Sequence, residues 1–215
     1  LMLARQHTKL GDLQNARLIL EPLIPEHNLE STEAKLMMLG IDKDSYFALA
    51  NSDPNKAYEL DKLRNKIGVI ADEPMSVGLM PTVIQLSLEL GQPALAAKLY
   101  ERWAGLDDQH YLEHIQDAGR WYVAAGKPIK AAELYKITGA STRDVNQASQ
   151  LALLTIKAML AADKTPLTLA YVNEYLKKFP NDAEILDEAI KLSLAVNDQK
   201  QAQAWGELRL ALNPG

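Results

Sequence analysis

A ten-residue block that recurs thirty-five positions further along limits the fold of this chain more than any other feature. Gly91-Gln92-Pro93-Ala94-Leu95-Ala96-Ala97-Lys98-Leu99-Tyr100 and Gly126-Lys127-Pro128-Ile129-Lys130-Ala131-Ala132-Glu133-Leu134-Tyr135 carry glycine, proline, both alanines, leucine and tyrosine in the same slots. A period of roughly 34 residues is that of stacked helix-turn-helix units. One such unit cannot bury its apolar face alone, so it stacks on its neighbours, and the array presents an extended concave surface to a partner.

Composition removes several other classes. Of the 215 residues, 47% are hydrophobic and 24% charged, which is ordinary for a folded chain and excludes a disordered or collagen-like one. The net charge of -5 comes without any Lys/Arg-rich run, so the footprint of phosphate-backbone binding is missing and nucleic acid is not an expected partner. Cysteine is absent, which removes disulfides, thiolate metal sites and cysteine nucleophiles while leaving reducing and oxidising compartments both open. No stretch approaches the roughly 18 uninterrupted apolar residues that span a bilayer. Leu1-Met2-Leu3-Ala4-Arg5 lacks the charged start and long apolar core of a signal peptide. The chain begins inside a helical pattern, as a segment of a longer protein does.

Apolar residues recur at three and four throughout, with breakers between them, so the expectation is helix only. The reading is a single solenoid over 1-215 with units at about 1-28, 31-72, 75-106, 110-138, 144-179 and 182-213. In the second unit a helix from about Ser31 places Leu36, Leu39, Tyr46, Phe47 and Ala50 on one face if it runs through Gly40, and breaks there otherwise. Asp53-Pro54 reads as an N-cap with proline at the first helical position, opening a helix to about Asp72 that Pro74 closes. Ser141-Thr142-Arg143-Asp144 has capping-box spacing at the start of the fifth unit. Gly91 to Gly126 is 35 residues and Gly126 to Asn197 is 71, nearly twice that, whereas Gly11 to Gly91 is 80. The second unit is therefore the irregular one.

The fourth unit resembles a tetratricopeptide repeat. Ala118-Gly119, Tyr122, Gly126, Ala131 and Tyr135 stand where that family places a large-small pair, an aromatic, a turn glycine, a small residue and a second aromatic. Gly119 and Ala131 let helix backbones approach, Tyr122 and Tyr135 fill the gap between units, and Gly126 ends a helix in a left-handed conformation. Pro180 and Pro214 resemble the proline that closes a repeat. The pattern departs from the family's at Ala118, where leucine is usual, and at Val83-Ile84. The resemblance implies an all-α, right-handed superhelix of about six helix pairs. Gln92 to Trp103 and Ala118 to Gly126 also look like the periplasmic repeat region of outer-membrane exporters of the Pel exopolysaccharide. That resemblance implies a periplasmic scaffold for polysaccharide-modifying enzymes in biofilm export. A tetratricopeptide adaptor in another pathway, in the cytoplasm, is the alternative.

In that family the first helix of each unit lines the concave face. Aligning first helices on their turns puts Arg5, Gln85, Arg120, Lys157 and Lys191 in one row, six positions before the turn residue. Three positions later come Thr8, Leu88, Val123, Leu160 and Leu194. The expected partner-binding face comprises Gln85, Glu113, Gln116, Arg120, Leu153, Lys157, Asp187 and Lys191, and its occupant is an acidic or amphipathic protein segment. The plainer account of the same residues is a solvated lysine-rich face beside an apolar row that belongs to the core.

One string hints at an enzyme. His110-Tyr111-Leu112-Glu113-His114 has the H-x-x-E-H pattern of a metalloprotease class, in which two histidines one turn apart bind zinc and the glutamate activates water. No matched third ligand stands out, and histidine is ordinary at a helix start, so the zinc hydrolase remains the alternative function. Trp103, Trp121 and Trp205 fit core packing better than sugar stacking. Asp107-Asp108 and Asp187-Glu188 fit caps or solvated surface better than acid-base pairs, because adjacent helical residues point apart. Gly119 to Gly126-Lys127 is no phosphate loop, since it lies on a helical pattern and follows no strand. No catalytic residue, metal site or cofactor is expected, and the reading is a non-enzymatic scaffold.

Overall fold

The structure, a computed structural model, describes residues 1–26 and 28–212; Pro214, expected to close the last repeat, lies outside the described residues. The described residues are all-α, without a strand, in the helix-hairpin architecture of an α-solenoid. Twelve helices follow in order: α1 Met2–Lys9, α2 Leu13–Leu20, α3 Leu29–Phe47, α4 Lys56–Asp72, α5 Met80–Glu89 and α6 Pro93–Ala104, then α7 Tyr111–Ala124, α8 Pro128–Ser141, α9 Val145–Ala161, α10 Thr165–Lys178, α11 Ala183–Ala195 and α12 Gln199–Leu212. The chain divides into two compact units, 1–118 and 119–215.

The hairpin turns explain the repeat. Gly11, Gly91 and Gly126 have φ of 76°, 69° and 71°, and Asp163 and Asn197 hold the same left-handed conformation at 55° and 59°. At each, the turn residue's N–H donates three residues back and the next N–H donates five back, as in Gly126 to Val123 at 2.9 Å and Lys127 to Tyr122 at 2.8 Å. This paired bonding satisfies carbonyls that a helix end would leave open. Glycine takes the conformation freely, and Asp and Asn tolerate it because their short polar side chains bond locally. Pro93 and Pro128 then begin α6 and α8, where the missing N–H has no helical partner to lose.

In the unit 1–118 a small-residue core of Ala4, Ala16, Leu20, Ala34, Met38 and Ile41 joins α1, α2 and α3. The helix α3 runs unbroken through Gly40, held at its start by Asn28, which accepts from the Ser31 N–H at 2.8 Å. Leu36 and Leu39 are buried as expected, but Phe47 is exposed and Ala50 lies past the helix end, also exposed. The expected face therefore stops near Tyr46, because α3 ends at Phe47 and the following turn redirects the chain. The N-cap reading of Asp53-Pro54 is also corrected. Asp53 accepts from the Asn55 N–H at 2.8 Å in a turn, and α4 starts only at Lys56. At its far end Arg102 of α6 donates to the carbonyls of Ala71 at 2.9 Å and Glu73 at 3.1 Å, closing α4 just before Pro74.

In the unit 119–215 a core cluster is formed by Ala152, Ile156, Val172, Tyr175, Leu176, Ile185, Leu186, Ala189 and Leu192, with Trp205 packed against it. Ser141 is the last residue of α8 and does not open a capping box. Asp144 itself caps α9, its carboxylate accepting from Asn146 at 2.8 Å and Gln147 at 3.1 Å, because Asp supplies the acceptor without help from a residue three earlier. Gly119 faces the ring of Tyr135, and a Cβ there would overlap that ring. The close approach at Gly119 is thus by an aromatic side chain, where sequence pointed to a neighbouring backbone. Tyr122 is buried, and Lys130 donates to its hydroxyl at 2.6 Å.

Tyr175 donates to Asp182, the N-cap of α11, at 2.9 Å. Burial, reinforced by that hydrogen bond and the carboxylate's charge, pushes the phenol well above its ordinary value of 10.0. The unfolded chain therefore loses this proton above about pH 10 while the folded chain keeps it, so the contribution is intact below that pH and is lost as pH rises. Urea unfolding between pH 8 and 11 should show stability falling above pH 10, with a shallower fall in Tyr175→Phe. Identical slopes in the two proteins would count against this account.

Candidate partner-binding surface

The left-handed turns fix a common register for the first helices α1, α5, α7, α9 and α11. Six positions before each turn stand Arg5, Gln85, Arg120, Lys157 and Lys191, and all five are exposed. Three positions before it, Thr8 and Leu88 are half-buried, while Val123 and Leu160 are each 38% exposed and Leu194 is 54% exposed. Residues three apart on a helix share a face, so Arg120, Lys157 and Lys191 each have an aliphatic neighbour one turn along, whereas Arg5 has Thr8. The core is drawn from other slots: Tyr122 and Ser193, four before the turn, are buried, as are Ala118, Thr155 and Ala189, eight before it. The aliphatic slot of α7, α9 and α11 is therefore surface, which differs from the plainer sequence account that assigned it to the core.

The cations differ in their surroundings. In the unit 119–215, Lys157 forms no ion pair among the described residues. Lys191 donates to Glu188 at 2.7 Å, and that bond with its charge holds the ammonium above its ordinary value. The Arg120 guanidinium lies 5.6 Å from the Trp121 ring centroid. One turn further back, Asp187 bonds Arg209 of α12 at 2.9 Å, and Leu153 is half-buried against the core cluster. The unit 1–118 carries Gln85, which donates to Glu89 at 2.8 Å, the exposed Glu113 and the half-buried Gln116. Arg5 pairs with Glu33 of α3.

The H-x-x-E-H string folds into a different arrangement from a zinc motif. Asp107 caps the 3₁₀ turn Asp108–His110 and receives both imidazoles, from His110 at 3.0 Å and His114 at 3.3 Å. Desolvation opposes ionisation of Asp107, but the hydrogen bonds of the two histidines outweigh it and hold the carboxyl below its ordinary value. His114 is buried and stacks on Trp103 with ring centroids 4.0 Å apart, while Glu113 is exposed on the next face. Among the described residues no group of three or more histidines and carboxylates is arranged to hold a metal ion. The cluster binds the turn before α7 to α6. Trp103, Trp121 and Trp205 are half-buried with their indole N–H groups enclosed, as packing residues are. Asp187 and Glu188 make separate surface ion pairs.

No helix among the described residues is long and apolar enough to cross a membrane. No protein-family model and no curated protein matches the chain. Among solved structures it is similar to one titled for the functional characterization of Pseudomonas aeruginosa pilF, at 15% identity and TM-score 0.36 over 100% of this chain and 90% of that one. It is also similar to the tetratricopeptide domain of P58(IPK), at 12% identity and TM-score 0.37 over 98% of this chain and 58% of that one. A third is the C-terminal part of a tetratricopeptide repeat-containing protein from Cytophaga hutchinsonii, at 14% identity and TM-score 0.33 over 99% of this chain and 95% of that one. The hairpins and their turns, and not these neighbours, carry the fold.

Sequence reasoning missed a second surface feature, an open groove along α3 and α4. The signal was present: Tyr58, Asn65 and Val69 form an i, i+7, i+11 stripe outside the Leu63, Ile67 and Ile70 stripe that α4 buries. A helix with apolar residues beyond its core face leaves part of them uncovered.

Proposed function

We propose that this chain is a non-enzymatic scaffold whose first-helix surface takes an acidic, amphipathic segment of a partner protein. The observation that carries the reading is the repeated pairing, at one offset from the left-handed turns, of an exposed cation with an exposed aliphatic residue: Arg120 with Val123, Lys157 with Leu160, and Lys191 with Leu194. A segment with carboxylates on one edge and aliphatic side chains on the other matches both rows. Partner carboxylates would compete with Glu188 for Lys191, so specificity comes from the series more than from any one exposed pair. Leu153 and Asp187 extend the surface along α9 and α11 in the unit 119–215, and Gln85, Glu113 and Gln116 belong to the same proposed set within the unit 1–118.

In the setting that the exporter resemblance implies, the scaffold works in the periplasm during Pel-type exopolysaccharide export, and its partners are enzymes that modify the polymer. The presence of helical hairpins and the lack of cysteine fit that setting without requiring it. The cytoplasmic adaptor is the alternative reading and uses the same surface.

Reversing all three charges, Arg120→Glu with Lys157→Glu and Lys191→Glu, tests the reading. Titrating a fluorescent peptide of alternating glutamate and leucine turns, the wild type should bind in a salt-sensitive manner and the triple variant about tenfold or more weakly. All three sites are exposed, so thermal unfolding should change little. Equal affinity of the two proteins for the peptide would remove the proposal.

A further inference from the structure

The second hairpin leaves a helix-sized gap. Its helices have 19 and 17 residues, whereas α2, the helix that should flank α4 in a hairpin stack, has only 8. The later second helices α6, α8, α10 and α12 have 12 to 14 residues. At 1.5 Å per residue, α2 covers about 12 Å against about 25 Å for α4. α2 ends at Leu20 and packs onto α3, leaving much of α4 uncovered.

The uncovered face is a groove. Its first part, about 680 Å³, is floored by Ile24, Met38, Leu39 and Ile70, with Val69 at its wall. It continues past Asp42, Tyr58, Lys62 and Lys66 into a more polar hollow of about 610 Å³. Val69 is 65% exposed and Tyr58 68%, large apolar surfaces for an isolated chain to leave in water.

Apart from Asp53, the charges lining the groove are matched within the chain. Lys35 pairs with Glu73 at 2.6 Å, and Asp42 pairs with both Arg17 at 2.6 Å and Lys66 at 2.7 Å, which ties α2, α3 and α4 together beneath the gap. Lys62 pairs with Glu59 at 3.4 Å. A charged occupant would have to break these pairs, whereas an uncharged apolar stripe would not. We infer that the α3–α4 groove is a second docking site, which seats the uncharged aliphatic stripe of a partner's amphipathic helix where a full-length second helix would lie. This occupant differs in chemistry from the acidic segment proposed for the first-helix surface, and the two sites are separable by mutation.

The test is selection from a displayed library of helix-favouring peptides of 14 residues, the length of the second helices α8, α10 and α12. Selection is made on wild type, and the enriched peptides are then titrated against Val69→Glu, Asn65→Trp and the Arg120/Lys157/Lys191 charge-reversal variant. Val69 and Asn65 are exposed, so either variant tests the groove if the other fails to fold. The expected result is enrichment of uncharged aliphatic residues at i, i+3 or i+4, and i+7. Binding should fall about tenfold or more in both groove variants and stay unchanged in the charge-reversal variant. Failure to enrich any sequence, enrichment of acidic sequences, or binding indifferent to both groove variants overturns the inference. So does concentration-dependent dimerisation by sedimentation that Val69→Glu abolishes, since the occupant would then be a second copy of this chain.

Discussion

Gly119→Val should destabilise the protein by about 3 kcal/mol, the upper part of the range for overpacking a tight interior site. The reason is a direct conflict of volume. A Cβ at Gly119 falls on the ring of Tyr135, whose side chain is itself buried. Helix propensity works in the opposite direction, because glycine inside a helix is disfavoured by about 1 kcal/mol relative to alanine. A net loss in Gly119→Ala would therefore show that overlap outweighs propensity. Thermal unfolding followed by circular dichroism should place the valine variant roughly 6 to 12 °C below wild type. Pairing Gly119→Ala with Tyr135→Leu should recover part of the loss, since the smaller side chain vacates the ring's place, and the double-mutant cycle isolates that coupling. Unchanged stability in Gly119→Val would mean that Tyr135 does not occupy this position in solution.

A pair of leucines on α11 gives the second large effect. Leu186 is fully buried within the core cluster of the unit 119–215, and truncation to alanine should cost about 3 kcal/mol through lost transfer energy and the cavity left behind. Leu194, eight residues later on the same helix, is 54% exposed, and its truncation should fall within about 0.5 kcal/mol of wild type. The contrast is measured by urea unfolding of the two single variants. If Leu194→Ala were as costly as Leu186→Ala, the aliphatic row beside Lys191 would be core, and the proposed partner surface would lose its apolar half. If Leu194→Ala leaves stability intact yet weakens peptide binding, the exposed row has a use other than folding.

Much of the architecture was legible because its signals are local. A glycine or asparagine at a left-handed turn, a proline at the next helix start and apolar residues every three or four positions each act through the backbone within a few residues. They located the turns at Gly11, Gly91, Gly126, Asp163 and Asn197 and the helices between them. The errors were local as well, but came from competition between alternatives of similar strength. Asp53 and Asn55 both offer a start to α4, and Ser141 and Asp144 both offer one to α9. Asp144 prevailed because its own carboxylate accepts from the Asn146 and Gln147 N–H groups, and α4 begins after Asn55 because Asp53 is engaged in the preceding turn.

The candidate surface was half legible. Counting back from the turns identified Arg120, Lys157 and Lys191 as equivalent, since helical spacing carries that information. Whether Val123, Leu160 and Leu194 are core or surface depends on which of two adjacent helix faces meets a neighbour, and apolar character alone gives the same reading for both. The groove of α3 and α4 was less legible still. Its existence depends on the mismatch between a helix of 8 residues and one of 17 that are far apart in the chain.

By itself the sequence determined the all-helical class, the repeat period and the turn positions, because these follow from backbone preferences of neighbouring residues. Only the tertiary structure decided that Gly119 makes room for an aromatic ring, that His110 and His114 close on Asp107, and that an apolar stripe of α4 lies open. Those outcomes depend on which distant side chains fill a given volume, and close packing is settled only when every helix is in place.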